Sequence, residues 1–155
     1  MSNLLAKLNP NGANLTGLPG GAGPEITAAE VSAALSVIQD PLQYHLLLAR
    51  GADLHPNTEQ AEIVLKRVRS ILVELWVRGA GNARLDRDRL SHMALAIWQE
   101  VVLGGYTDTE RAALVKMNRV SWSRNRELRE LYRQTYAEIE GMYFDGVRKI
   151  SKKIG

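Results

Sequence analysis

The chain is 155 residues long, with 45% apolar and 24% charged side chains, ordinary proportions for a globular protein large enough to bury a core. It contains no cysteine, which excludes disulfides and thiolate metal sites. The net charge of +3 is unevenly placed: from residue 111 onward 11 Lys/Arg stand against 5 Asp/Glu, while residues 1–110 carry 9 against 12. The basic end therefore suits a polyanion.

Residues 1–25 hold Asn, Gly, Pro and Leu in no periodic order and are expected to form a flexible arm, since they bury too little to offset their ordering entropy. Residues 26–155 are expected to form one all-α domain of about six helices. No stretch has the length and apolarity of a membrane span, and residues 1–6 lack the apolar core of a signal peptide. The expected location is the cytoplasm.

Thr27 and Glu30 have capping-box spacing and predict a helix to about Ile38, with Val31, Ala34, Leu35 and Ile38 inward. Asp40 followed by Pro41 predicts the start of a second helix that runs to Arg50 and closes on Gly51. Leu42, His45, Leu46 and Ala49 form its buried side. His55-Pro56-Asn57-Thr58 introduces the longest amphipathic run of the front half. Ala61, Val64, Leu65, Val68, Ile71, Leu72, Leu75 and Trp76 follow the helical period there. A fourth helix begins near Asp86, turns Leu90, Met93, Ala94, Ile97, Trp98, Val101 and Val102 inward, and stops at Gly104-Gly105. Trp76 and Trp98 read as core anchors.

The last third is read as a helix-turn-helix at about residues 107–146, ending in a long helix. Thr107 and Glu110 form another capping box. Asn118-Arg119-Val120 is expected to be the turn, and Ser121 the N-cap of the second helix. At 100° per residue, Leu128, Leu131, Tyr132, Thr135, Ile139 and Met142 share a core-facing side. Trp122, Arg126, Arg129 and Arg133 fall on another face. This stripe predicts a DNA-binding surface. Ser123, Arg124 and Asn125 at the helix start are expected to read base edges, Arg126, Arg129 and Arg133, helped by Lys152 and Lys153, to approach phosphates or bases, and Ser121 and Trp122 to complete the DNA-binding set. The plain alternative is a solvated helix with Glu–Arg pairs along it.

Chemistry is not legible elsewhere. The glycines of residues 17–23 precede no strand, so they form no phosphate loop, and no nucleophile–base set or inward carboxylate pair has recognisable spacing. Asp86 and Asp88 suit a helix start, and His45, His55 and His92 lack the spacing of metal ligands. The expectation is a binding protein, with no catalytic residue, no metal, no cofactor and no small-molecule substrate.

In the order of its segments the chain resembles the lambda-type bacteriophage late-gene antitermination proteins of the Q family. The resemblance covers about residues 26–140. It rests on Ile26-Thr27-Ala28-Ala29-Glu30-Val31-Ser32-Ala33-Ala34-Leu35, on the helix of residues 90–102, and most closely on Trp122-Ser123-Arg124 followed by Leu131-Tyr132. It implies an all-helical body with a DNA-binding helix-turn-helix in which Trp122, Ser123 and Arg124 lie at the DNA end. It also implies two partners, double-stranded DNA at a late promoter and bacterial RNA polymerase, which is made to ignore terminators in the bacterial host cytoplasm. Members of that family can carry a Cys-rich zinc-binding insertion where this chain has only Gly104-Gly105-Tyr106. The residues alone leave two other readings open: an operator-binding regulator or small packaging subunit, or a helical protein-interaction module.

Overall fold

The computed structural model describes residues 27–79 and 85–154; the predicted arm of residues 1–25 lies outside them. The described residues are all-helical, with seven helices, 81% helix and no strand. The helices are α1 (Ala28–Leu35), α2 (Pro41–Ala52), α3 (Thr58–Arg78), α4 (Arg87–Leu103), α5 (Asp108–Leu114), α6 (Arg119–Arg124) and α7 (Arg126–Ile154). The described residues gather into two compact units, one of residues 27–60 with 141–154 and one of residues 61–79 with 85–140.

In the first unit, the Thr27 hydroxyl accepts the Glu30 amide at 3.1 Å and opens α1. The helix ends at Leu35, earlier than Ile38, because the Ser36 hydroxyl donates to the Ala33 carbonyl at 2.6 Å and competes with the next helical bond. Asp40 caps α2 through the Leu42 amide at 2.9 Å, with Pro41 at the first position. Gly51 does not close this helix. The left-handed residue is Asp53, at φ 54°, a conformation that a short polar side chain tolerates. The two extra residues carry the helix to Ala52, which is buried at 4% exposure.

The end of α7 packs on α2 in this unit. Gln43, buried in the contact, donates to the Met142 carbonyl at 2.8 Å. A Cβ on Gly146 would come within 2.8 Å of Leu47 Cδ1, so glycine lets the two helices approach here. Arg50 lies over the Tyr143 ring at 4.3 Å, a cation–π contact. Burial pushes the Tyr143 phenol above its ordinary pKa and the His45 imidazole below its own.

In the second unit the buried side chains follow the predicted periods. Val64, Val68, Ile71 and Leu72 of α3, Met93, Ala94, Ile97, Trp98 and Val101 of α4, and Leu128, Leu131, Tyr132, Thr135 and Ile139 of α7 are all buried. Trp98 is a core anchor as expected, while Trp76 is half-buried. α4 ends where Gly104 and Gly105 take φ of 79° and 72°, a backbone region open to glycine at little steric cost.

Candidate nucleic-acid interface

The residues singled out between Ser121 and Arg133 lie on two helices rather than one. α5 opens with the complete capping box, Thr107 accepting from the Glu110 amide and Glu110 reaching back to the Thr107 amide. The chain then reverses through Lys116, at φ 62°. Arg89 of α4 steadies this reversal by donating to the Val115 carbonyl at 3.1 Å, so a guanidinium satisfies an acceptor left over at a helix end.

The predicted turn of residues 118–120 is the start of α6. The Asn118 side chain accepts from the Ser121 amide at 2.7 Å, so the N-cap is Asn118 rather than Ser121. Helix α6 lasts one and a half turns and stops at Asn125, whose φ of −93° and ψ of 82° are not helical. The Asn125 side chain then accepts from the Leu128 amide at 3.1 Å and caps α7. The continuous rod expected from Ser121 is therefore broken. An asparagine side chain holds a helix amide better than it continues a helix, and two such residues seven apart make two starts.

The break redistributes the predicted site residues. Trp122 faces the interior: it is 1% exposed, with its ring edge-on to Tyr132 at 5.7 Å between centroids. Asn125 is half-buried and occupied as a cap. Ser121, Ser123, Arg124, Arg126 and Arg133 are exposed, and Arg129 is half-buried. Arg133 is committed to Glu130, donating from Nε at 3.1 Å; that hydrogen bond holds the Glu130 carboxyl below the usual carboxylate range. Arg124, Arg126 and Arg129 have no ion pair among the described residues. Neither has Arg119, an exposed cation on the first turn of α6 that the helical projection left out. Lys152 and Lys153 are exposed near the end of α7, in the other unit.

Beneath this surface lies a charged cluster that periodicity does not reveal. Glu100 of α4 is 3% exposed. Arg111 of α5 grips it with both edges, Nε to Oε1 at 2.9 Å and Nη2 to Oε2 at 2.8 Å. The buried Tyr132 hydroxyl donates to Oε1 at 2.7 Å. Burial, and then this hydrogen bond to a carboxylate, push the Tyr132 phenol well above its ordinary pKa; the Glu100 hydrogen bond likewise raises Arg111. Arg111 also reaches Asp108 at 3.1 Å. One buried carboxylate thus ties α4, α5 and α7 together and fixes the ground on which α6 stands.

A notch of about 300 Å³ opens over this cluster, walled by Arg126, Arg129, Arg133 and Glu130 of α7, by Arg111 and Asp108 of α5, and by aromatic side chains including Tyr136. Among the described residues no three His, Asp or Glu side chains gather as metal ligands would, and no helix is long and apolar enough to cross a membrane. What the arrangement offers chemically is cationic, donor-rich surface: several guanidinium groups around a helix junction, some free and some balanced by carboxylates. No family model, curated protein or solved structure matches the chain.

Proposed function

We propose that the chain binds nucleic acid through the corner where α6 meets α7. We further propose that it serves as the antitermination proteins it resembles do, engaging late-promoter DNA and bacterial RNA polymerase so that elongation ignores terminators. The supporting observation is the set Arg119, Arg124, Arg126 and Arg129, four guanidinium groups within eleven residues with no ion pair among the described residues. Unpaired guanidinium groups attract phosphates and release the counterions of the duplex. Insertion of a single helix from Ser121 onward is no part of this reading, because the chain breaks at Asn125. The corner itself approaches the backbone, with Ser123 and Arg124 on its α6 side.

The test is run-off transcription on a template with a promoter-proximal pause and a downstream terminator. Added protein is expected to raise read-through, and Arg124→Ala with Arg126→Ala to abolish that rise while weakening a gel shift. An unchanged gel shift in the double variant removes the corner as the interface. Gel-shift binding without read-through removes the polymerase role and leaves an operator-type binder.

One observation favours a second reading, a helical protein-interaction module. Ile63, Val73 and Val77 of α3 are 53%, 44% and 70% exposed and lie along one helical stripe through Lys66 and Ser70. Light scattering that reports a dimer, lost on Val73→Lys with Val77→Lys, together with no preference for any DNA, is the outcome that reading requires.

A further inference from the structure

We infer that the notch between α5, α6 and the first turns of α7 is a phosphate-binding subsite. It takes the acceptor-only oxygens of a phosphoryl group, carried by a nucleic-acid strand or by a free nucleotide. The inference deepens the reading above and rests on it only for the source of the phosphate.

Buried polar groups in folded proteins almost always find a partner, and one that does not calls for an explanation. Among the described residues three buried side-chain nitrogens have no hydrogen-bond partner: Arg50 Nη1, Trp122 Nε1 and Arg129 Nε. Two of these three belong to residues that line this one notch. Both are donors, and an indole N–H or a guanidinium cannot accept. Asp108 and Glu130 stand on the same wall but are taken by Arg111 and Arg133, so these two donors are left without an acceptor.

The charges agree. Of the four arginines lining the notch, Arg111 is held by Glu100 and Asp108, and Arg133 by Glu130. Arg126 and Arg129 have no ion pair among the described residues, although Arg126 feels the Glu130 charge; four arginines face only Asp108 and Glu130 along the lining, so the wall carries a net positive charge. Arg129 is half-buried with its Nε shut from solvent and unpartnered, and a fork-shaped donor of this kind matches two phosphate oxygens at once. The volume of about 300 Å³ stands at the lower end of ligand pockets. It suits a phosphate with part of its nucleoside and is too small for an element of duplex. Tyr136, half-buried on the same wall, offers a ring beside that phosphate.

The experiment is a titration of the full ¹⁵N-labelled chain, following the Trp122 indole resonance, assigned with Trp122→Phe. The titrants at constant ionic strength are inorganic phosphate, thymidine monophosphate, thymidine and a short oligothymidylate, with chloride as the control. Phosphate and the monophosphate are expected to move the Trp122 resonance saturably, and thymidine and chloride not to. Arg129→Gln and Arg126→Gln should each weaken phosphate binding about tenfold or more, as loss of a charged hydrogen bond does. Arg87→Gln, an exposed arginine elsewhere in the unit, reports any loss due to net charge alone. Circular dichroism and the melting midpoint confirm that each variant folds.

No shift with phosphate, or equal loss in Arg87→Gln and Arg129→Gln, overturns the subsite. If Arg129→Gln keeps full oligonucleotide affinity, the subsite is wrong while the nucleic-acid reading stands. If phosphate binds and the promoter duplex gives no gel shift, the subsite stands and the nucleic-acid reading falls.

Discussion

Arg111→Met tests the account of the buried carboxylate most directly. The substitution keeps an unbranched apolar stem of similar reach while removing the guanidinium. Glu100, at 3% exposure, then loses two of its three hydrogen bonds and keeps only the Tyr132 hydroxyl at 2.7 Å. Removing one partner of a buried pair costs about 3–5 kcal/mol, because a charge is left desolvated. Arg111 is 30% exposed, so water can enter from its side, and the lower end, about 3 kcal/mol, is expected. For a chain of this size that corresponds to a fall in Tm of roughly 6–12 °C, readable by circular dichroism. Glu100→Gln added to Arg111→Met leaves no buried charge and still offers an oxygen to Tyr132, so the double variant should be more stable than Arg111→Met alone. A midpoint shift under 2 °C for the single variant, or a further fall in the double, would show that the carboxylate is not held by Arg111 as described.

Tyr132→Phe removes one hydrogen bond to the same carboxylate and should cost roughly 1.5–3 kcal/mol by urea unfolding; no change in midpoint counts against the network. Two glycines of α7 should respond in opposite ways. At Gly141 an added Cβ meets nothing within 4 Å, so Gly141→Ala should stabilise by about 0.5–1 kcal/mol. At Gly146 it meets Leu47, which is fully buried, and overpacking of roughly 1–3 kcal/mol should outweigh the helical gain; two equal shifts would deny the close approach of α2 and α7. Asn125→Ala removes the cap of α7 and should cost about 1 kcal/mol, which a thermal melt resolves. His45 supplies a pH test. Burial lowers its folded pKa below the ordinary 6.5, so its contribution is fully present above about pH 6.5 and is lost as pH falls through that value toward the folded one. His45→Gln should flatten this part of the stability–pH curve, and an unflattened curve assigns the loss to other groups.

Much of the candidate site was legible only as composition. The basic excess after residue 111 and the clustering of arginines near residue 126 are visible by inspection. Whether a particular arginine is free is not, because that depends on which carboxylate lies within reach. Arg133 and Glu130 sit three apart on one helix and do pair, as the plain alternative for the stripe anticipated. Arg111 and Glu100 meet across two helices, and no spacing announces it. Trp122 falls on the arginine face of a continuous helix and was placed outward for that reason. Once Asn125 breaks the helix, the same residue turns into the core.

Sequence alone determined the all-helical class, most helix starts, and the apolar faces of α3, α4 and α7. Those features follow from local chemistry: a side chain three residues from an amide caps it, and a 3.6-residue period selects one face. Tertiary structure decided where α6 and α7 divide, which cations stay unpaired, and that Glu100 is buried. Each of these turns on contacts between residues far apart in the chain, where packing and desolvation outweigh local preference, and the position of one carboxylate changes what three helices can present to a partner.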